Sequence, residues 1–226
     1  MGTGHRYNGQ CDLPCGISTG GGVMLRMVGI EPYSGRPVSW SIECPVPGVV
    51  LINLNLVSAL HPAPFHWRVG TWRKPPLDIE IEPSSGCLQA IQFALQDEQV
   101  PLVAVASLPA GKSGLPVFDT GDWPIDRYLD VRGQVTAIRT PADQLGLFVS
   151  SGETTSTSQI PGLVLGYDHN SNVHEIRIGP LADEDWDAIV AMSVGARETT
   201  LAVPEGGLTQ LGSRRPGETS PAGRLG

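Results

Sequence analysis

The sequence predicts a mainly β protein in which an antiparallel strand-hairpin unit is duplicated and packed as a sandwich or barrel, with one short helix near 183–193. Three observations predict this class. The 226 residues include 28 glycines and 20 prolines, which break helices and form turns. Apolar side chains recur at every second position, the period of a half-buried strand. The same pattern returns about 86 residues later in the chain.

The pattern divides the chain into five parts. Residues 1–23 are dominated by glycine and polar residues, so we expect a disordered leader. Two β units follow, at 24–105 and 118–197, and a proline- and glycine-marked linker at 106–117 joins them. Residues 198–226 have a similar polar composition, and we expect a disordered tail.

A hairpin with a polar turn is the clearest element of the first unit. Leu77, Ile79 and Ile81 share one face, and the acidic residues between them share the other. Pro83–Gly86 supplies the turn, and an apolar return strand follows at Leu88–Leu95. Two further strands are expected upstream, at residues 38–43 and 49–56.

The second unit repeats this design. Leu163, Leu165 and Tyr167 share one face, and a polar turn at 168–172 leads to a return strand at 173–178. With one residue removed from the turn the apolar positions of the two hairpins align, which favours duplication over chance similarity. The aligned pairs are Glu82 with Asp168, Leu88 with Val173, Ile91 with Ile176, and Phe93 with Ile178. Further strands are expected at 128–132, 135–139 and 145–149.

A short helix is expected at the end of the second unit. Asp183–Asp185 places acidic groups in the first turn, where they offset the helix dipole. Trp186, Ile189 and Val190 then lie along one helical face.

The second unit also resembles a short uncharacterised bacterial β-domain family, a domain of unknown function. The resemblance covers about 40 residues and implies a fold but no activity. Leu145 and Arg177 depart from the family pattern, which often has an acidic residue at each of these positions. The matching segments are Thr140-Pro141, Leu147–Val149, Gly152–Thr154, Gly162–Asp168 and Val173–Ile178.

The charge of the chain excludes some classes of partner. The net charge is -8, and the only lysines are Lys74 and Lys112. Nucleic acid and anionic membranes need clustered cations, so neither is expected as a partner. No apolar run reaches the roughly 20 residues that span a bilayer, and the first residues do not form a secretory signal. We therefore expect a cytoplasmic protein.

The cysteines do not predict a metal site. Cys11 and Cys15 lack a second ligand pair at the spacing that zinc requires. Cys44 and Cys87 lie in strand-like segments, where we expect buried, unpaired thiols. No metal and no cofactor is expected.

The most polar cluster contains the candidate catalytic residues Asp168, His174 and Glu175. A histidine beside a carboxylate can act as a general acid or base. However, the segment from Asp168 to Asn172 is also typical of an exposed turn. Adjacent residues of a regular strand point to opposite faces, which would separate His174 from Glu175.

A second cluster contains the candidate binding residues Phe65, His66, Trp67, Trp72 and Arg73. Exposed tryptophan and arginine side chains anchor many protein interfaces, and the neighbouring prolines would make such a surface rigid. The alternative is that the aromatic rings cap an open end of the sheet.

A third segment, Asp119-Thr-Gly121, has the triplet of the aspartic proteases. The second copy that such an enzyme needs is missing, so we expect a turn.

The sequence therefore favours a non-enzymatic protein that binds another protein, such as a toxin-neutralising (immunity-like) protein or an assembly module. An acidic surface would steer it toward basic partners, and a homo-oligomer stays open. The alternative is a small-molecule or enzymatic site inside a β-barrel, with an interior His/Asp pair. A cavity of about 300 Å³ or more between the two halves would favour the alternative.

Overall fold

The computed structural model confirms a mainly β protein. Its strands are joined by short turns, and a single helix within the described part of the chain covers residues 183–191, where a helix was predicted. That helix is too short and too polar to cross a membrane. The structure describes residues 24–33, 38–56, 63–71, 74–96 and 100–191. The predicted leader and tail lie outside these ranges.

The first large sheet has six strands in the order β2-β3-β6-β5-β4-β9. Neighbouring strands are antiparallel except β4 and β9, which are parallel. The strands are β2 (Ser39–Val46), β3 (Val49–Asn55), β4 (Phe65–Thr71), β5 (Lys74–Ile81), β6 (Leu88–Gln96) and β9 (Tyr128–Arg132).

The second large sheet has six strands in the order β10-β11-β14-β13-β12-β7. Again only the last pair, β12 with β7, is parallel. The strands are β7 (Lys112–Ser113), β10 (Thr136–Arg139), β11 (Leu145–Phe148), β12 (Ser156–Ile160), β13 (Leu163–Tyr167) and β14 (Val173–Ile178). A separate two-stranded sheet pairs β1 (Met27–Glu31) with β8 (Leu115–Phe118).

The two large sheets have the same strand directions, and the first five strands of each follow the same order. Their central hairpins also pair in the same register, since Ile79 lies opposite Ile91 in one sheet and Leu165 lies opposite Ile176 in the other. Neither sheet closes on itself in the described part of the chain, which is the arrangement of a sandwich rather than a barrel.

Both hairpins contain a β-bulge at the same place. In the first, Glu80 pairs with Ala90 and Ile81 with Leu88, so Gln89 is the extra residue. In the second hairpin the pairs are Gly166 with Glu175 and Tyr167 with Val173, and the extra residue is His174. A bulge places two residues of one strand opposite one residue of its partner and locally changes the direction of side chains.

The apolar faces of both sheets form one buried cluster. The alternating residues of the hairpins, such as Ile79 and Ile91 in the first sheet and Leu165 and Ile176 in the second, are at most 1% exposed. Because each sheet has one apolar face, packing the two faces together removes both from water.

The edge strands do not follow the division predicted from the sequence. Strand β9 belongs to the predicted second unit, 118–197, but it completes the first sheet. The predicted linker, 106–117, contains β7 and most of β8, and β7 completes the second sheet. Pairing between parallel edge strands far apart in sequence has no local turn signal, so the sequence pattern did not show it.

Candidate ligand site

The outward face of the second sheet is covered by an extended part of the chain, residues 100–111, which we call the covering segment. At one end its Val103 amide donates to the Arg139 carbonyl, and the Arg139 amide donates to the Pro101 carbonyl. At the other end the Thr157 hydroxyl donates to the Pro109 carbonyl. The covering segment therefore crosses the sheet from β10 to β12.

A cavity of about 350 Å³ lies between the covering segment and the sheet. It lies on the side of the sheet opposite the shared core. The cavity considered from the sequence would instead lie between the two halves. Its volume falls within the range of small-molecule sites. Its walls are residues 103–109 of the covering segment, Phe148, Gly152, Glu153, Thr154, His174, Glu175 and Arg177.

A buried ion pair forms part of the wall of this cavity. Glu175 is 3% exposed and Arg177 is 8% exposed. The Arg177 Nε and its terminal nitrogen each lie 3.2 Å from Glu175 Oε2, and the Thr154 hydroxyl donates to Glu175 Oε1 at 2.7 Å. A second hydrogen bond, from Arg177 to the Ala106 carbonyl at 3.0 Å, holds the middle of the covering segment.

Gly166 makes room for this ion pair. A Cβ atom at residue 166 would lie 2.7 Å from Glu175 Cγ and 2.8 Å from Thr154 Cγ2, both closer than such atoms approach. In the equivalent pair of the first sheet, the glutamate and the small residue are on the opposite strands, since Glu80 lies opposite Ala90. A small residue is therefore needed on one strand wherever the other carries the carboxylate.

His174 lines the same cavity as Glu175, and the expectation that they point to opposite faces is wrong. The physical reason is the β-bulge, which interrupts the alternation at His174. His174 is 4% exposed, and its Nδ1 lies 2.9 Å from the Ser150 hydroxyl oxygen. Burial lowers the pKa of His174, so the ring is neutral at pH 7. Its Nε2 makes no hydrogen bond to the described residues.

Asp168, the third candidate catalytic residue, has a different role. Its carboxylate accepts hydrogen bonds from the amides of Asn170 and Asn172 and from the Asn172 side chain, and it does not line the cavity. Burial alone would raise the pKa of Asp168, but these hydrogen bonds outweigh it and hold the pKa below its usual range. Asp168 thus organises the turn between β13 and β14.

The candidate binding residues do not share one surface. Trp67 is 0% exposed and lies in the core, so it cannot contact a partner. Phe65 points to the same side and packs against Trp123, with 5.1 Å between ring centroids. His66 lies on the outward face, where its Nδ1 is 3.1 Å from an Asp78 oxygen. Trp72 and Arg73 lie outside the described residues.

An aromatic and acidic surface nevertheless surrounds His66. The His66 ring stacks on Tyr128, and the Arg68 guanidinium lies over the same ring while it pairs with Asp130. Ile125, in the preceding loop, is fully exposed. The sequence did not indicate Tyr128 as part of this surface, because only the parallel pairing of β4 with β9 brings it beside His66.

The remaining sequence motifs form no site. Asp119 accepts a hydrogen bond from the Gly121 amide, as expected of a turn. Cys44 is exposed and Cys87 is half-buried, so the expectation that both are buried is wrong. Cys44 lies in the irregular last part of β2, and Cys87 lies in an isolated bridge just before β6. No cluster of histidine, cysteine and acidic side chains in the described part of the chain could hold a metal ion.

Arg177, Ser150 and the covering segment were not recognised as site components from the sequence. One signal was present, since Arg177 is a charged residue within an otherwise apolar return strand and departs from the family pattern. For Ser150 and the covering segment the sequence carries no such signal.

Comparison of the sequence with models of known protein families found no match, and comparison with curated proteins found none. The resemblance of the second unit to a bacterial β-domain family therefore stays a prediction.

Proposed function

We propose that the protein binds a small molecule in the cavity beneath the covering segment. The observation that carries this proposal is that three ionisable residues, His174, Glu175 and Arg177, are each at most 8% exposed and all line the cavity. Removing charged groups from water costs several kcal/mol per ion before the pair is formed. Apolar side chains at these positions would bury the face of the sheet without that cost. We therefore attribute the ionisable side chains of the wall to contact with a ligand.

The first sheet supports this proposal by contrast. The residues equivalent to His174, Glu175 and Arg177 are Gln89, Ala90 and Gln92, and Gln92 is exposed. The same backbone therefore does not by itself require ionisable residues at these positions. Their presence beneath the covering segment is a property of the second sheet.

The test is the binding of uncharged aromatic fragments, followed by NMR chemical shifts of the backbone amides. Shifts are expected at Phe148, His174 and the covering segment. Val105→Trp should fill the cavity and abolish them, whereas Val190→Trp, the same change at an exposed helical site, should not. Equal shifts in both variants, or no shifts at the cavity for any fragment, would contradict the proposal.

A second candidate function is the binding of another protein, through the surface formed by Ile125, Tyr128, His66, Arg68 and Asp130. The observation that favours it is the fully exposed Ile125, in the loop that leads to the partly exposed Tyr128, since exposed apolar and aromatic side chains are common in interface anchors. The net charge of -8 suits a basic partner, as for an immunity-like protein.

Photocrosslinking from position 125 would identify such a partner or a second copy of the chain. Purified partner should then bind, and Ile125→Asp should weaken binding at least about tenfold. Val190→Asp, at another exposed site, should have no effect. Equal affinity for both variants would exclude this surface.

We also propose that the two β units are diverged copies of one ancestral unit. The shared strand order, the single parallel pair at one edge and the bulge at the same position support this origin.

A further inference from the structure

We infer that the ligand of this cavity is an uncharged molecule with an apolar or aromatic body and one hydrogen-bonding group that reaches His174. This inference rests on the proposed function and specifies the chemical class of the ligand. It follows from the charge of the wall, the position of the free polar atom, and the composition of the covering segment.

The charges of the wall are already balanced. Both oxygens of Glu175 are occupied, one by Arg177 and the other by the Thr154 hydroxyl. Arg177 also donates a hydrogen bond to the Ala106 carbonyl. A ligand with a net charge would therefore be buried without a counter-ion, at a cost of several kcal/mol.

The other ionisable groups that line the cavity do not supply a counter-ion. Glu153 is exposed at the rim, where its carboxylate disfavours an anion and is screened by solvent from a cation deeper inside. His174 is neutral because burial lowers its pKa. The wall as a whole therefore has no unmatched buried charge.

The His174 Nε2 is a polar atom of the wall that makes no hydrogen bond to the described residues. The Ser150 hydroxyl fixes the His174 ring through Nδ1, and Nε2 is left to donate or accept a single hydrogen bond. Around it the surface is largely apolar, with Val105, Leu108 and Phe148 among the lining residues. An apolar ring that carries one amide or hydroxyl group matches this arrangement.

Three probes of equal size and different charge test the inference: benzamide, benzoate and benzylammonium. Titrations followed by NMR at neutral pH should show benzamide binding at the cavity at least about tenfold more tightly than either ion. Millimolar affinity is sufficient, since these probes are of fragment size.

Variants of the ion pair should change the charge preference in opposite directions. Glu175→Gln leaves Arg177 unmatched and should favour benzoate, whereas Arg177→Gln leaves Glu175 unmatched and should favour benzylammonium, each by about tenfold or more. The double variant should prefer benzamide again. Arg132→Gln, which removes an exposed arginine from β9 of the first sheet, is the control and should leave the ranking unchanged.

The outcomes separate the two proposals. Cavity shifts that are strongest with benzoate or benzylammonium in the wild-type protein would overturn the inferred ligand class but support a binding cavity. Absence of cavity shifts with all three probes would overturn both. If a single variant does not fold, as judged by circular dichroism, the relative affinities of the three probes for the wild-type protein still test the inferred ligand class.

Discussion

The two large sheets have similar backbone arrangements but differ in what covers their outward faces. In the first sheet this face carries polar side chains that bond to one another in contact with solvent, as Gln92 does to Asn53 and Asn53 to Glu43. In the second sheet the covering segment shields the face, and the groups at equivalent positions become a buried ion pair. The covering segment therefore buries a face that is exposed to solvent in the first sheet. The polar groups on the buried face then need hydrogen-bond or ion-pair partners.

The bulge position shows the same difference on a smaller scale. His174 has Ser150 as a partner for Nδ1, whereas the buried Nε2 of Gln89 has no hydrogen-bond partner within the described ranges. A buried polar group without a partner costs free energy. The polar side chain at the bulge therefore has a hydrogen-bond partner in the second sheet, whereas the Gln89 Nε2 in the first sheet has none within the described ranges.

The largest difference between the sheets is expected at Arg177. Arg177→Met should lower the free energy of unfolding by about 3–5 kcal/mol, because Glu175 would be left charged and unpaired in the protein interior. Urea unfolding measures the loss, and Gln92→Met, at the equivalent exposed position, should stay within about 0.5 kcal/mol. Equal losses would show that the covering segment does not isolate the pair.

Gly166→Ala should cost about 1–3 kcal/mol, since the new Cβ would overlap Glu175 and Thr154. Thermal unfolding gives the loss. The same change made in a Glu175→Ala background should cost less than it does in the wild-type background, because the new Cβ then no longer meets Glu175 Cγ. A tolerated Gly166→Ala would mean that the ion pair has room to move.

The two turn carboxylates should behave alike. Asp168→Ala and Glu82→Ala should each cost about 1 kcal/mol, since each carboxylate holds its hairpin turn through several hydrogen bonds. The hydrogen bond from Ser85 lowers the pKa of Glu82 to about 2. The contribution of the Glu82 carboxylate to the free energy of unfolding is therefore fully present above pH 4.5 and is lost as the pH falls toward 2. A stability profile of Glu82→Ala that matches wild type across this range would contradict the role.

The smallest effect is expected from exchanging the bulge residues. The folded state resists protonation of His174, so wild-type stability should fall as the pH drops below 6.5. His174→Gln should flatten this dependence, and Gln89→His should steepen it by adding a second buried histidine. Urea unfolding at several pH values measures the slopes. Parallel profiles for all three proteins would show that His174 is readily protonated in the fold.

The sequence was sufficient to predict the elements that local patterns determine. Alternation at Leu77, Ile79 and Ile81 and the polar turns predicted the hairpins, because side-chain direction in a regular strand follows a period of two. The helix was predicted from the acidic first turn and the apolar face of Trp186 and Ile189, and it is present.

The candidate site was predicted only in part. His174 and Glu175 were found because they are ionisable, but their common direction was not, since one extra residue in a strand reverses the alternation. The Ala106 and Pro109 contacts of the covering segment join residues 71 and 48 positions apart. Such contacts leave no periodic trace, because extended segments without turns or alternation resemble any flexible connection.

Each large sheet contains an edge strand from the other half of the chain, so cutting the chain between the halves leaves both sheets incomplete. A chain cut near residue 120 would leave β4 without β9 in one fragment and β12 without β7 in the other. Unpaired edges invite strands from other molecules. Each fragment alone should then self-associate, whereas mixing the two should restore soluble protein, because each piece holds the strand that its counterpart needs.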